Sequence, residues 1–209
     1  MRVLYATDGS QPARQAERLI AALFDPAKAK ILTFSVTPDP VYVEALPVGS
    51  FELAHMDVPV SSSEEVAHEA ADHLVQAGFE VDWGSARGDP AVRILEEAER
   101  VAPDLIVLGA SHTTWMGGVL LGSVGMHVLH HARSSVLLAH RAPSGDGKVL
   151  FGVDGSRGAS DAVDLALEVL DPEKCTLTFA SVAIHPWVSA GSFPPGPPLG
   201  SFGEPQAAA

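Results

Sequence analysis

Two short stretches hold the residue types that could do chemistry. Residues 107–124, VLGASHTTWMGGVLLGSV, carry Gly109, Gly117, Gly118 and the pair Gly122-Ser123, a glycine-rich backbone that runs into a helix start. Exposed backbone N–H groups and the positive end of a helix are what a phosphate chain needs, and Ser123 adds a hydroxyl. The other stretch is Thr7-Asp8-Gly9-Ser10, where a carboxylate and two hydroxyls follow an apolar run. Asp8 could hold a ligand there, or it could cap the next helix through Asp-Gly turn chemistry; for Asp154, in the similar Asp154-Gly155-Ser156, capping is the better reading because no glycine-rich loop accompanies it. His127, His130 and His131 have a spacing compatible with a metal site, yet no nearby cysteine or carboxylate completes a ligand set, so a solvated helix end is expected. Trp115 has two readings, stacking on a base or covering the sheet edge, and Cys175 reads as an inert small hydrophobe at a strand start.

The elements that must position these residues alternate strand and helix over the first 140 residues, the pattern of a parallel sheet covered by helices. Residues 3–7 and 30–36 are short β-branched apolar runs suited to buried strands, and between them Ala16, Leu19, Ile20 and Leu23 recur at helical spacing until Asp25-Pro26 stops the helix. Residues 37–60 carry prolines and no period, a long excursion of the kind that forms lids or binding loops. Ser62 and Glu65 then form a capping box for a helix running to Gly78, and Phe79, Val81 and Trp83 alternate as in a strand. Asp89-Pro90 opens a helix with Val92, Leu95, Ala98 and Val101 roughly along one face. A strand over 104–109, glycine-rich chain to Gly122, a helix over 123–131 and a fifth strand, 136–140, complete five strands and four helices. The expected fold is α/β: an open parallel five-stranded sheet in the order 3-2-1-4-5 with helices on both faces. In such a sheet ligands bind beyond the carboxyl ends of the strands where the order reverses, here between strands one and four.

That placement brings out a resemblance. The universal stress protein family carries a G-x2-G-x9-G-[ST] loop after its fourth strand, and Gly109 and Gly122-Ser123 occupy its first and third parts while His112 stands at the middle glycine. The opening VLYATDGS, the stretch SARGDPAVRILEEAERVAPDLIVLGA and the ending GSVGMHVLHHARSSVLLAH also look like that family, so the similarity covers residues 1–140. It implies an ATP site, with Mg²⁺, in which Asp8 meets the adenine or ribose end, Val36 presents backbone to adenine, Gly109, Ala110, Gly122, Ser123 and Val124 line the phosphates, and Thr7 belongs to the same site. His112 either blocks the loop with its side chain or reaches the phosphates as a partly protonated donor. The resemblance also implies a homodimer through strand 136–140, since that edge is apolar and unprotected in a lone domain. Because some members of the family bind no ATP, the alternative is a nucleotide-independent dimeric interaction module.

The bulk numbers narrow the partners. With 46% hydrophobic and 19% charged residues the chain has ample material for a core, and a net charge of −13 removes the basic footprint of a nucleic-acid binder. A single cysteine forbids an intrachain disulfide, and no signal peptide or run of about 18 apolar residues is evident, so a soluble cytoplasmic protein is expected. Enzyme motifs with a phosphate-binding lysine, a dinucleotide fingerprint or a serine elbow are missing, which leaves at most a weak Mg²⁺-dependent ATPase. Finally, residues 3–34 are matched by residues 149–179 with one single-residue gap after the Asp-Pro pair. The expected organisation is a complete domain at 1–142, an incomplete β-α-β repeat at 148–187 and a Pro/Gly-rich tail at 188–209 without a core pattern. Two strands and one helix cannot normally bury enough surface to fold by themselves, so the partial repeat must dock on something or stay loose.

Overall fold

A computed structural model describes residues 1–39, 62–110, 113–115, 118–120, 122–143, 145 and 147–182. The elements of the first unit are β1 (Arg2–Ala6), α1 (Gln11–Leu23), β2 (Lys30–Thr37), α2 (Ser63–Gln76), β3 (Glu80–Arg87), α3 (Pro90–Val101), β4 (Leu105–Gly109), β5 (Thr113–Trp115), β6 (Gly118–Leu120), α4 (Ser123–His131) and β7 (Ser135–Ala139). The principal sheet is parallel, in the order β3-β2-β1-β4-β7. Alternation along each strand divides its core in two. Val3, Tyr5, Ile31 and Val107 pack with Ala16 and Ile20 of α1 and Leu74 of α2, while Leu4, Phe34, Ile106 and Leu108 pack with Ile94 of α3 and Val128 of α4.

Local chemistry sets the helix boundaries. Ser10 accepts from Ala13 N–H at the start of α1; Ser62 and Glu65 satisfy each other's backbone N–H at α2; the Asp89 carboxylate accepts from Val92 N–H at 2.9 Å with Pro90 behind it at α3. Gly78, at φ +96°, takes the left-handed position after α2.

Several details differ from the sequence reading. The inward stripe of α3 is Ala91, Ile94 and Ala98, and Val92 is exposed, because the Asp89 cap and Pro90 set the rotation at which α3 meets the sheet. Trp83 is 43% exposed because β3 is the sheet edge, and its ring meets His68 edge-on at 5.3 Å. The fifth strand of the sheet starts at Ser135 and ends at Ala139, so His140 lies outside it. Within the glycine-rich stretch β5 and β6 pair as an antiparallel hairpin, which the spacing of glycines did not indicate. The core of the long excursion, residues 40–61, and the tail, 188–209, lie outside the described residues.

The partial repeat forms β8 (Gly147–Gly152), α5 (Arg157–Val169) and β9 (Cys175–Ala180), with β8 and β9 parallel. It docks on the far end of α1. Phe24 and Leu170, equivalent in the two repeats, form an antiparallel bridge, and the hydrogen bonds around them are reciprocal: Asp25 N–H to Val169 carbonyl at 2.9 Å, Asp171 N–H to Leu23 carbonyl at 2.8 Å. Phe24, Val169 and Leu170 are buried there, and Gly147 leaves no room for a Cβ against Leu23. The single-residue gap has a structural effect. Ala6 lies opposite Phe34, but Phe151 lies opposite Phe179, so β9 is slipped by one relative to β2. A slip of one residue turns a strand over. Phe34 therefore packs under α3, whereas Phe179 stacks on Phe151 at 5.0 Å.

Candidate functional site

The cavity that the fold builds sits where the strand order reverses. Beyond β1, Thr7 N–H donates to the Phe34 carbonyl at 2.9 Å, toward β2; beyond β4, Ala110 N–H donates to the Ala139 carbonyl at 2.8 Å, toward β7. The two chain ends are drawn apart, and a crevice opens between them. It has a volume of about 450 Å³. Thr7, Asp8, Val36, Gly109, Ala110, Gly122, Ser123 and Val124 all line it. His112, the remaining residue of the expected set, lies outside the described residues.

One end of the cavity is apolar. Phe34, Val36 and Pro38 from the end of β2, with Val66 of α2 and Ile94 of α3, supply a wall suited to a flat ring. These residues escaped the sequence reading except Val36, although a position at the carboxyl end of a strand was a usable signal. The opposite end is polar backbone. Gly122 caps α4 without a side chain, so the N–H groups of Ser123, Val124 and Gly125 precede the first intrahelical bond, from Met126 N–H to the Gly122 carbonyl. All three residues line the cavity. The hydroxyl-bearing residues Thr7, Ser10, Ser35, Thr37, Ser63 and Ser123 also line it.

Asp8 is the one ionisable side chain among the described lining residues. It does not cap α1; that role belongs to Ser10, whose hydroxyl accepts from Ala13 N–H, while the Asp8 carboxylate accepts from Ser10 N–H at 3.0 Å. The turn needs Gly9 at φ +72°, a conformation glycine adopts without strain. The same geometry recurs at Asp154, which accepts from Ser156 N–H at 2.9 Å, and this interaction with Ser156 holds its carboxyl below the usual range. Here too the serine caps the helix, so neither aspartate does. Tyr5 braces the α1 side: its hydroxyl donates to the Ala13 carbonyl at 2.7 Å, and burial raises its pKa well above the usual phenol value.

Gly109 lines the cavity and has a packing role as well. Its φ is not positive; instead the start of α1 presses on it, so an added Cβ would meet the Pro12 carbonyl carbon and lie 2.5 Å from the Ala13 nitrogen. The glycine is needed for helix to approach strand at the floor of the cavity. The histidines near the end of α4 form no ligand set: His127 and His131 stack at 4.4 Å, His131 Nδ1 donates to the His127 carbonyl, and among the described residues no group of three metal-ligating side chains converges. No described helix is long and apolar enough to cross a membrane.

Comparison with known proteins agrees with this geometry. The chain is 24% identical over 147 residues to Universal stress protein Sll1388 of Synechocystis sp., covering 66% of this chain and 96% of that protein. It is 29% identical over 143 residues to Universal stress protein MJ0531 of Methanocaldococcus jannaschii, covering 67% and 82%. The solved structure of the hypothetical protein MJ0577 superposes with a TM-score of 0.52 at 25% identity, over 68% of this chain and 97% of that one. A universal stress protein from Archaeoglobus fulgidus shares the fold at a TM-score of 0.58 and 20% identity, over 87% of this chain and 79% of that one. Residues 1–140 match the model of the Universal stress protein family, and with two thirds of the chain so matched, the protein belongs to that family.

Proposed function

We propose that this chain is a nucleotide-dependent regulator of the stress response that binds ATP, accompanied by Mg²⁺, in the crevice between β1 and β4. The observation that carries this reading is the pairing of an apolar slot at the end of β2 with the uncapped start of α4 in one cavity. A purine fits the first by shape and apolarity; phosphate oxygens fit the second because N–H groups and the positive helix end face them. Asp8 lies between the crevice walls, where its carboxylate serves a ribose hydroxyl or a bound cation. Mg²⁺ supplies charge neutralisation on the phosphate oxygens when bound.

The reading takes the site to hold its ligand with at most weak Mg²⁺-dependent ATPase activity, as the missing enzyme motifs suggest. The test is calorimetric titration of the intact chain with Mg·ATP. Asp8→Ala is expected to weaken binding by about tenfold or more, and Asp154→Ala to leave it unchanged, since loss of one charge-assisted contact is worth about 1.5–3 kcal/mol. Equal affinity of wild type and Asp8→Ala would remove the aspartate from the site.

A homodimer through strand 136–140 belongs to the same proposal. Among the described residues β7 has β4 on one side and no strand on the other, and Val136, Leu137 and Leu138 are half-buried, which supports pairing across a two-fold axis. Should that pairing persist without nucleotide, the interaction-module reading gains ground, and light scattering with and without Mg·ATP measures it.

A further inference from the structure

The cavity proposed above for a nucleotide is notable for its lack of positive side chains. Among its described lining residues none is Lys or Arg, and the single charged one, Asp8, is negative. The sequence extends this to the residues beyond the description. No Lys or Arg occurs between Arg2 and Arg14, between Lys30 and Arg87, or between Arg100 and Arg133, and those three intervals supply every lining residue except Pro90 and Ile94. Arg2, Lys30, Arg100 and Arg133, which flank these intervals, have partners elsewhere: the Val101 carbonyl, Glu80, Glu97 and Glu99. Arg93, beside Ile94, donates from Nε to the Arg87 carbonyl at 2.8 Å and pairs with Glu96 at 2.7 Å. Arg14 lines an adjoining hollow with Glu17 and Glu69.

Among the described lining residues, then, phosphate would meet backbone N–H groups, hydroxyls and one helix start, and His112, outside the described residues, is the one further candidate donor that the resemblance names. A helix start amounts to roughly half a positive charge. One phosphate carries about two negative charges at neutral pH, and a metal-free triphosphate roughly twice as many. The excess would meet no compensating charge, and the exposed Asp8 carboxylate beside it adds repulsion of the same sign. Bound Mg²⁺ brings the triphosphate back to about the charge of a monophosphate.

We infer that the cavity selects nucleotides by net charge, admitting a nucleoside monophosphate or a Mg²⁺-neutralised triphosphate and excluding the metal-free triphosphate. The selection rests on the nucleotide-site reading and would make occupancy follow free Mg²⁺ as well as ATP. It differs from a site that uses Mg²⁺ as a bridge to the protein, which would also need metal to hold a monophosphate.

Titration calorimetry on the intact chain separates these cases, with adenosine, AMP in EDTA, ATP in EDTA and Mg·ATP as ligands. AMP in EDTA and Mg·ATP are expected within about threefold of each other, and ATP in EDTA at least about tenfold weaker, a gap of about 1.4 kcal/mol. Asp8→Asn, which keeps an acceptor for Ser10 N–H, is expected to narrow the ratio between Mg·ATP and metal-free ATP. Equal affinity for ATP with and without metal would overturn charge selection while leaving the nucleotide site standing. AMP in EDTA binding as weakly as metal-free ATP would overturn it in favour of a metal bridge. Failure of every ligand to bind, adenosine included, would overturn the nucleotide site and this inference with it.

Discussion

The unit β1-α1-β2 and its copy β8-α5-β9 carry the same local instructions and reach different ends. Both have an Asp-Gly-Ser turn with glycine at positive φ, a serine that caps the helix, and an Asp-Pro pair beyond the helix end. Both aspartates accept from the serine two residues on. Both aspartates are exposed, yet Asp8 lines the crevice and Asp154 is not among its lining residues. The first turn has β4, α4 and the end of β2 around it, and the copy has no described counterpart of β4 or α4. An Asp-Gly-Ser turn is thus a way of entering a helix, and it becomes part of a site when the rest of the sheet closes round it.

Their shared interface offers the largest test of this comparison. Phe24→Ala is expected to destabilise the protein by about 3–5 kcal/mol and Leu170→Ala by about 2–3 kcal/mol in denaturant titrations, the larger value reflecting a more deeply buried ring. If Leu170→Ala cost nothing, the docking of the partial repeat would not contribute to stability.

A smaller effect separates two glycines. Gly109→Ala forces a Cβ into the start of α1 and is expected to cost about 1–3 kcal/mol, with loss of nucleotide affinity as the cavity floor shifts. Gly155→Ala has open space but φ +79°, so about 1 kcal/mol is expected and no change in binding. Thermal unfolding of both variants ranks them, and an inverted order would contradict the packing reason given for Gly109.

The smallest expected effect lies at Glu17, whose equivalent in α5 is Val163. Burial raises the pKa of Glu17 even though His73 Nδ1 donates to it at 3.0 Å, so desolvation outweighs the pairing. A carboxyl whose folded pKa is raised favours folding below its ordinary value near 4.5, and that contribution is lost as pH rises through the folded value. Glu17→Gln is therefore expected to stabilise the protein at pH 7.5 by no more than about 0.5 kcal/mol, with the difference closing near pH 4. Greater stability of the wild type at pH 7.5 would show that the His73 contact outweighs burial.

Much of the molecule was legible along the chain because its signals are local. Capping pairs, the Asp-Pro stops and the strand–helix alternation followed from residue types and spacing, and with the sheet order taken as 3-2-1-4-5 the switch point located the crevice. The repeat was legible as well, but whether it docks or stays loose was not. Three matters were decided in three dimensions. Gly109 read as a phosphate-loop glycine, and the structure adds that its missing Cβ makes room for α1, a contact between residues nearly a hundred positions apart. Phe34 and Phe179 align in sequence yet face opposite sides, because strand register is fixed by what each face packs against. Asp8 and Asp154 share every near neighbour that matters to a turn, and only the surrounding sheet makes one of them part of a site. Local chemistry chooses the turn, the cap and the strand; which side chain meets which cavity depends on packing between segments that no short window of sequence contains.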